Sequence, residues 1–364
     1  MGIDRLKTLT MATALAAVSY QHTTVNATGQ EKEIKPIVFS CEDSNDPRRM
    51  ADVCMVDLKG GKITNLTNTR DIAEVSPSLS PDGTEIAFFG MDMNADPQYK
   101  KWVLYRQKID GGTPIEITSE LSVAGPTKWV EKGPFENKIL FLGEHKIYAI
   151  DPDGKNLQVT ADFGNTQLRD LKVSPDGNTI IVKINGFYSF LDYKLMVNTK
   201  NGEFKTFLPV NTTVLSDVAF SPDSKKVAFI AKEIISEAIH STSGYMPRFK
   251  PGSEPTLSIY DFDKGEIVGE PAVSGLISSI EWSPDGKDIA YYDSYNNIIY
   301  TYSMDDKKKN IVTYSNSWKS GVMWGSDGKI YYTNIDNKGN NLAFYRISPD
   351  GSNRELLSVN GTGK

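Results

Sequence analysis

Histidine is almost missing from this chain, with three in 364 residues, and cysteine is rarer still, with two. His22 falls near the N-terminus, His145 in the short turn LGEHKI and His240 in a long polar insertion. That scatter weighs against a histidine-built metal centre, and no HExxH or Cys/His cluster is present. No Gly-x-Ser-x-Gly elbow occurs, so the nucleophile turn of an α/β hydrolase is absent. There is no cationic excess either: 40 Lys and Arg stand against 46 Asp and Glu, a net charge of -6. Such a surface does not favour generic binding to nucleic acid. No apolar run reaches membrane-spanning length, so no membrane span is expected. Cofactors and metals are therefore expected to be none, and non-enzymatic roles come first.

What is present begins with an address. Arg5 and Lys7 precede the short apolar run LTMATALAAV, and a polar stretch leads to Val25-Asn26-Ala27. This is the layout of a secretory signal cleaved near Ala27, with a disordered leader as the bland alternative. Residues 1–27 are read as signal peptide, 28–35 as a short linker and 36–361 as a single domain. Export, to a periplasm or the outside, favours a disulfide between Cys41 and Cys54 over a buried thiol pair. The short loop it closes limits its chain-entropy gain to about 3 kcal/mol.

The body of the chain repeats. SPDGTEIAFF starts at Ser80, SPDGNTIIVK at Ser174, SPDSKKVAFI at Ser221 and SPDGKDIAYY at Ser283, with worn copies from Val130 and Gly325. A strand-like segment precedes each: PSL, TKW, LKV, VAF, IEW, VMW. A second set of turns, rich in Asp, Gly and Lys, recurs seven times between Gly60 and Asp350, at intervals of about 42 to 63 residues. Pro presets φ, Asp bonds the local backbone and Gly supplies positive φ, so each copy is a turn between strands. A WD40-like period with four strands per unit means an all-β β-propeller. Seven blades are expected, the first three-stranded and starting at its second strand near Ile37, with six as the alternative.

The Ser-Pro-Asp-Gly-Lys-x-Ile-Ala-Phe phrase resembles the TolB-type propeller repeat, with trailing elements NLTN (Asn65–Asn68), EITS (Glu116–Ser119) and QVTA (Gln158–Ala161). The resemblance covers roughly residues 36 to 360 and implies the fold far more than the role. TolB proteins carry an α/β domain ahead of a six-bladed propeller, whereas here about eight residues separate Ala27 from Pro36. Oligogalacturonate-lyase-like propellers share the repeat, but their chemistry rests on a histidine cluster that this chain lacks.

In a propeller the Ser-Pro-Asp-Gly turns share one face, and the loops joining second to third strands share the other. The long insertions, Glu42–Asp52, Met91–Lys101 and Lys232–Pro255, all belong to the second face. Insertions gathered on one rim build binding surfaces. Candidate contacts there are Arg48, Arg49, Asp92, Asn94, Tyr99, Tyr188, Tyr245, Arg248, Phe249 and Tyr295, of residue types enriched at interface cores. The start of the longest insertion, KEIISEAIH, is expected to form a helical turn or two. Four residues before the repeat motif stand Ser76, Asp170, Asp217, Ser279 and Gly321, which would ring the channel mouth. Asp170 and Asp217 would there hold a cation or a basic ligand group, or simply cap backbone amides. DMNAD from Asp92 falls short of a calcium loop.

Three functions follow in order. The first is an exported, monomeric protein-interaction module with an envelope protein partner. The second is a binder of a small ligand, a glycan or peptide, at the channel mouth. The third is a lyase or hydrolase with a minimal site.

Overall fold

The computed structural model describes residues 35–42, 51–96, 100–121, 125–143, 145–185, 192–198, 203–206, 208, 212–241, 244–273, 277–314, 319–335, 342–359 and 362–363. Residues 1–34, the whole signal segment and nearly all of the linker, lie outside them, as do Arg48, Arg49, Tyr99 and Tyr188.

Every regular element among the described residues is a strand. The first sheet has three: β1 (Ile37–Glu42), β2 (Ala51–Val56) and β3 (Ile63–Asn65). The second runs β4 (Ile72–Leu79), β5 (Glu85–Asp92), β6 (Trp102–Lys108) and β7 (Ile115–Leu121). The third runs β8 (Thr127–Trp129), β9 (Ile139–Gly143), β10 (Lys146–Ile150) and β11 (Gln158–Asp162). The fourth runs β12 (Gln167–Val173), β13 (Thr179–Asn185), β14 (Asp192–Asn198) and β15 (Glu203–Thr206). The fifth runs β16 (Thr212–Phe220), β17 (Lys226–Ser241), β19 (Thr256–Asp261) and β20 (Glu266–Ala272), with β18 (Gly244–Phe249) paired to the far end of β17. The sixth runs β21 (Ile277–Trp282), β22 (Asp288–Asp293), β23 (Ile298–Ser303) and β24 (Lys309–Tyr314). The seventh runs β25 (Lys319–Trp324), β26 (Ile330–Ile335), β27 (Leu342–Ile347) and β28 (Glu355–Val359), extended by β29 (Thr362–Gly363). All neighbours are antiparallel and, apart from β17 pairing with β19 past the inserted β18, consecutive, which is the meander of a propeller blade.

The pleat explains why the sheets stack. Successive side chains of a strand point to opposite faces. On β5, Ile86 and Phe88 join Val38 and Val53 of the first sheet, while Ala87 and Phe89 join Trp129 and Phe141 of the third. The same division recurs at each junction. Leu142 meets Leu171, Ile181 meets Val218, Ala228 meets Ile280, and Ala290 meets Val322. The seventh cluster closes the circle, joining Met323, Tyr331 and Phe344 of the last sheet to Ile37, Phe39 and Val56 of the first. Seven sheets therefore pack through seven apolar interfaces. Six are complete four-stranded blades, and the three-stranded first sheet fills the remaining place. Each fully buried Ile, Phe or Val contributes about 1.5–3 kcal/mol.

Closure is by packing. Among the described residues no sheet mixes strands from the two ends of the chain. Phe39 stacks on Phe344 with ring centroids 5.4 Å apart. Arg346 Nη1 donates to the Leu58 carbonyl at 3.0 Å, while its Nε pairs with Glu355. The order of turns makes β1, β2 and β3 the second, third and fourth strands of a blade. The innermost place of that sheet has no strand among the described residues.

The recurring turn is built as its residues require. Ser80 Oγ donates to Asp82 Oδ1 at 2.6 Å and accepts from the amides of Thr84 and Glu85. Ser174, Ser221 and Ser283 make the same bond to Asp176, Asp223 and Asp285. Gly83, Gly177 and Gly286 hold φ near +70°, and Ser224 takes that conformation in the third copy. There its hydroxyl accepts the Asp176 amide of the preceding blade, which offsets the strain.

One expectation fails. KEIISEAIH is strand, not helix. β17 continues past its blade, pairing with β19 as far as Ala231 and with β18 from Ile234 onward. Its Ile, Ala and His sequence suits either conformation, and cross-strand pairing with Gly244–Phe249 decides for strand.

Candidate functional site

Two places gather chemistry: the second-to-third-strand rim and the central channel. On the rim, the longest insertion is a β-hairpin arm. Ile234 lies opposite Phe249, Ile235 opposite Arg248 and His240 opposite Tyr245. Its base is fastened by Lys250, whose amide donates to the Glu233 carbonyl at 3.1 Å and whose Nζ meets Glu233 Oε2 at 2.7 Å. Among the described residues β18 pairs with β17 alone. The structure thus places Tyr245, Arg248 and Phe249 on one projecting strand.

The other rim candidates are separate. Asp92 and Asn94 are exposed, and Asp92 Oδ1 accepts the Asn94 amide at 2.8 Å, so this carboxylate shapes its own turn. No group of three or more acidic, His or Cys side chains suited to a metal occurs among the described residues. Tyr295 stands 79% exposed on the turn between β22 and β23. Beneath it, Asp293 is fully buried and accepts the amides of Tyr295 and Asn296. The rigid turn holds the ring out in solvent. His145 Nδ1 lies 2.8 Å from the Thr166 carbonyl and is a structural tie. Cys41 and Cys54 form the expected disulfide, with Cα atoms 5.8 Å apart across β1 and β2.

The channel carries more charge than the mouth residues alone would give it. Lys128 on β8, Lys172 on β12 and Glu281 on β21 all sit two residues before the repeat turn, each followed by an apolar Trp or Val. Each is half-buried, yet burial weighs heavily on its charge, as for a side chain lining a narrow bore. Burial works against the Lys172 charge, but Asp170, Asp217 and Glu281 outweigh it and hold its amine above the ordinary lysine range. Burial pushes the Glu281 carboxyl up to about 8, against the pull of Lys172 and Lys128 and with the push of Asp217. Burial takes the Lys128 amine down to about 7, resisted by Glu131 and Glu281 and furthered by Lys172 and Lys35. Lys35 itself bridges the Pro81 carbonyl at 2.6 Å and Glu131 at 3.3 Å, tying the start of the described chain to two neighbouring blades.

Asp170 and Asp217 are thus brought together with one lysine between them. Asp170 Oδ1 also accepts the Leu171 amide at 2.9 Å, the capping role expected as the alternative. Their ring partners diverge. Ser76 takes φ +56° at a β-bulge, and Ser279 Oγ is clamped between the backbone N–H and C=O of Val322. The two lysines and Glu281 were missed from the sequence, although LKV, TKW and IEW displayed them: a charge at the same place before successive repeat turns is the signal.

A second buried carboxyl pair also escaped notice. Asp52 on β2 and Glu74 on β4 are 5% and 1% exposed. Asn65 Nδ2 donates to Asp52 Oδ2 at 2.6 Å, and Thr69 Oγ1 lies 3.1 Å from Glu74 Oε1.

No family model matches the chain, and no curated protein matches it. Solved structures do. TolB from Acinetobacter baumannii is similar at 18% identity and a TM-score of 0.51, over 93% of this chain and 67% of that one. A prolyl endopeptidase is similar at 13% identity and a TM-score of 0.63; this chain spans 51% of its length and 96% of its own. An oligogalacturonate lyase in complex with manganese is similar at 14% identity and a TM-score of 0.61, over 91% of this chain and 97% of that one. At such identities the likeness is one of fold, and the fold so shown is the β-propeller that TolB shares with the other two.

Proposed function

We propose that this protein is an exported, non-enzymatic interaction module that engages a protein partner of the cell envelope through its second-to-third-strand rim. The observation that carries the reading is the hairpin arm of β17 and β18. It continues past a complete blade, its β18 strand pairs with β17 alone among the described residues, and it carries Tyr245, Met246, Arg248 and Phe249 in sequence. Open edges invite strand addition by a partner. Tyr295, held out by its buried Asp293 turn, supports the same face. A disulfide and a signal-like leader support export.

The test is affinity capture from envelope extract with the chain from Thr28 onward. A variant with residues 234–249 replaced by a short Gly-Ser turn should keep its melting temperature, because surface excursions add little closure entropy. Its capture of the partner should be lost. Equal capture by both forms would remove the arm from the interface.

The channel charges favour one second reading, a small ligand with a basic group held at Asp170 and Asp217. Substituting both by Asn should then abolish ligand binding and leave the rim-dependent capture intact.

A further inference from the structure

Among the described residues the first sheet is the smallest member of the ring. It has three strands there where each other blade has four or five, and it meets the last sheet by packing, with no strand exchanged among those residues. On its other side it packs on the second sheet through Val38, Val53, Leu79, Ile86 and Phe88, and the buried carboxyls of Asp52 and Glu74 lie at the same junction. Asp52 spends Oδ2 on the Asn65 amide and Oδ1 on the Thr69 backbone N–H, 3.3 Å away. Thr69 Oγ1 has a single hydrogen, with the Ile72 carbonyl and Glu74 Oε1 both 3.1 Å from it. Glu74 Oε2 is buried with no hydrogen-bond partner. Thr69 joins the two carboxyls, with its amide on Asp52 Oδ1 and its hydroxyl beside Glu74 Oε1, and Asp52 acts on Glu74 both by its charge and as a side-chain hydrogen-bond partner. A bare carboxylate there would face a second carboxylate in a site closed to water, which is costly. A proton on Oε2 removes both problems, because the acid then donates to Asp52.

We propose that Asp52 and Glu74 share one proton and form a latch that holds the three-stranded sheet against its neighbour, closed in mild acid and loosened as pH rises past neutrality. The physical cause is burial first, which raises Glu74 to about 7; Thr67 and Thr69 resist, and Asp52 adds to the rise. The other titratable group sensing Glu74 is the Tyr105 phenol on β6, itself pushed up by burial and by Glu116 and Asp92. The sign follows from linkage. The unfolded carboxyl ionises near its ordinary 4.5 and the folded one near 7, so folding stability drops across that window and levels above it. Past the upper limit the folded pair is doubly ionised and repels itself. The latch lies beside the disulfide, since Cys41 pairs with Asp52 and Cys54 with Asn65 in the strand register.

The experiment compares the wild type with Glu74→Gln from pH 4.5 to 8.5. The melting temperature of Glu74→Gln minus that of wild type should rise by several degrees between pH 4.5 and 7, then stay level. Reduction of the Cys41–Cys54 disulfide by a phosphine should accelerate several-fold more in wild type than in Glu74→Gln between pH 6 and 8. Comparing the two proteins at each pH cancels the reagent's own pH dependence, and it also cancels Glu281. A pH-independent difference in melting temperature, or parallel reduction rates, would overturn the proposal. If Glu74→Gln does not fold, carbon-13 labelling of glutamate side chains in Glu281→Gln decides: one carboxyl should titrate near neutrality, and none doing so would overturn it.

Discussion

Trp282 donates its indole N–H to the Ala219 carbonyl across 3.0 Å, from the innermost strand of the sixth sheet to that of the fifth. Trp324 holds the matching place in the next blade, equally buried, but its indole nitrogen has no partner. Two blades of one design thus differ by a single hydrogen bond. Replacing either Trp by Phe leaves a similar cavity, so the difference isolates that bond. Trp282→Phe should cost about 1 kcal/mol more than Trp324→Phe, the net worth of one such bond. Equilibrium unfolding in urea measures both, and equal losses would count against the assignment.

The repeat turns supply a second contrast. Gly83 and Gly177 share a φ near +70°. A Cβ at Gly83 would meet nothing within 4 Å, whereas one at Gly177 would run into the Lys132 carbonyl of the preceding blade. Gly83→Ala should cost only the backbone term, about 1–2 kcal/mol. Gly177→Ala should add about 1–3 kcal/mol of overpacking to that. Thermal unfolding monitored by circular dichroism checks the order.

These contrasts also explain what could be read in advance. The propeller was legible because SPDG turns are local chemistry, and strand alternation is written in runs such as IAYY. The three-stranded first sheet followed from counting turns. The arm was misread because KEIISEAIH carries no strong local preference and its pairing partner is distant in sequence. The closing seam was invisible since Phe39 and Phe344 meet only in space. Asp170 and Asp217 were singled out by their place before the motif. Lys128, Lys172 and Glu281, two residues further on, were passed over as strand residues, and only their mutual electrostatics reveals them as one group.

The turn aspartates set the acid limit of stability. The Ser80 hydroxyl, followed by the Thr84 amide, holds Asp82 below the ordinary carboxylate range. A depressed folded value contributes stability above the unfolded value near 4 and loses it as pH falls further. Ser80→Ala should therefore lower the melting temperature at pH 7, and the gap to wild type should narrow by pH 3. A gap of constant width would mean that the hydroxyl acts on the backbone alone.

The channel makes the largest prediction. Lys172 sits among Asp170, Asp217 and Glu281, and these carboxyls sustain its charge. Lys172→Met leaves them facing one another in an enclosed bore, a loss on the order of 3–5 kcal/mol for breaking a buried charge group from one side. Glu281→Gln behaves oppositely. Its folded carboxyl ionises near 8, while the unfolded one does so near 4.5. Between those limits rising pH favours unfolding of the wild type and not of the variant. The stability of Glu281→Gln relative to wild type should therefore climb from pH 5 to pH 8.5 by a few kcal/mol. Lys128 titrates in both proteins and cancels to first order. Urea unfolding at the two pH values provides the measurement, and a difference that ignores pH would show Glu281 to be an ordinary ionised carboxylate outside the group centred on Lys172.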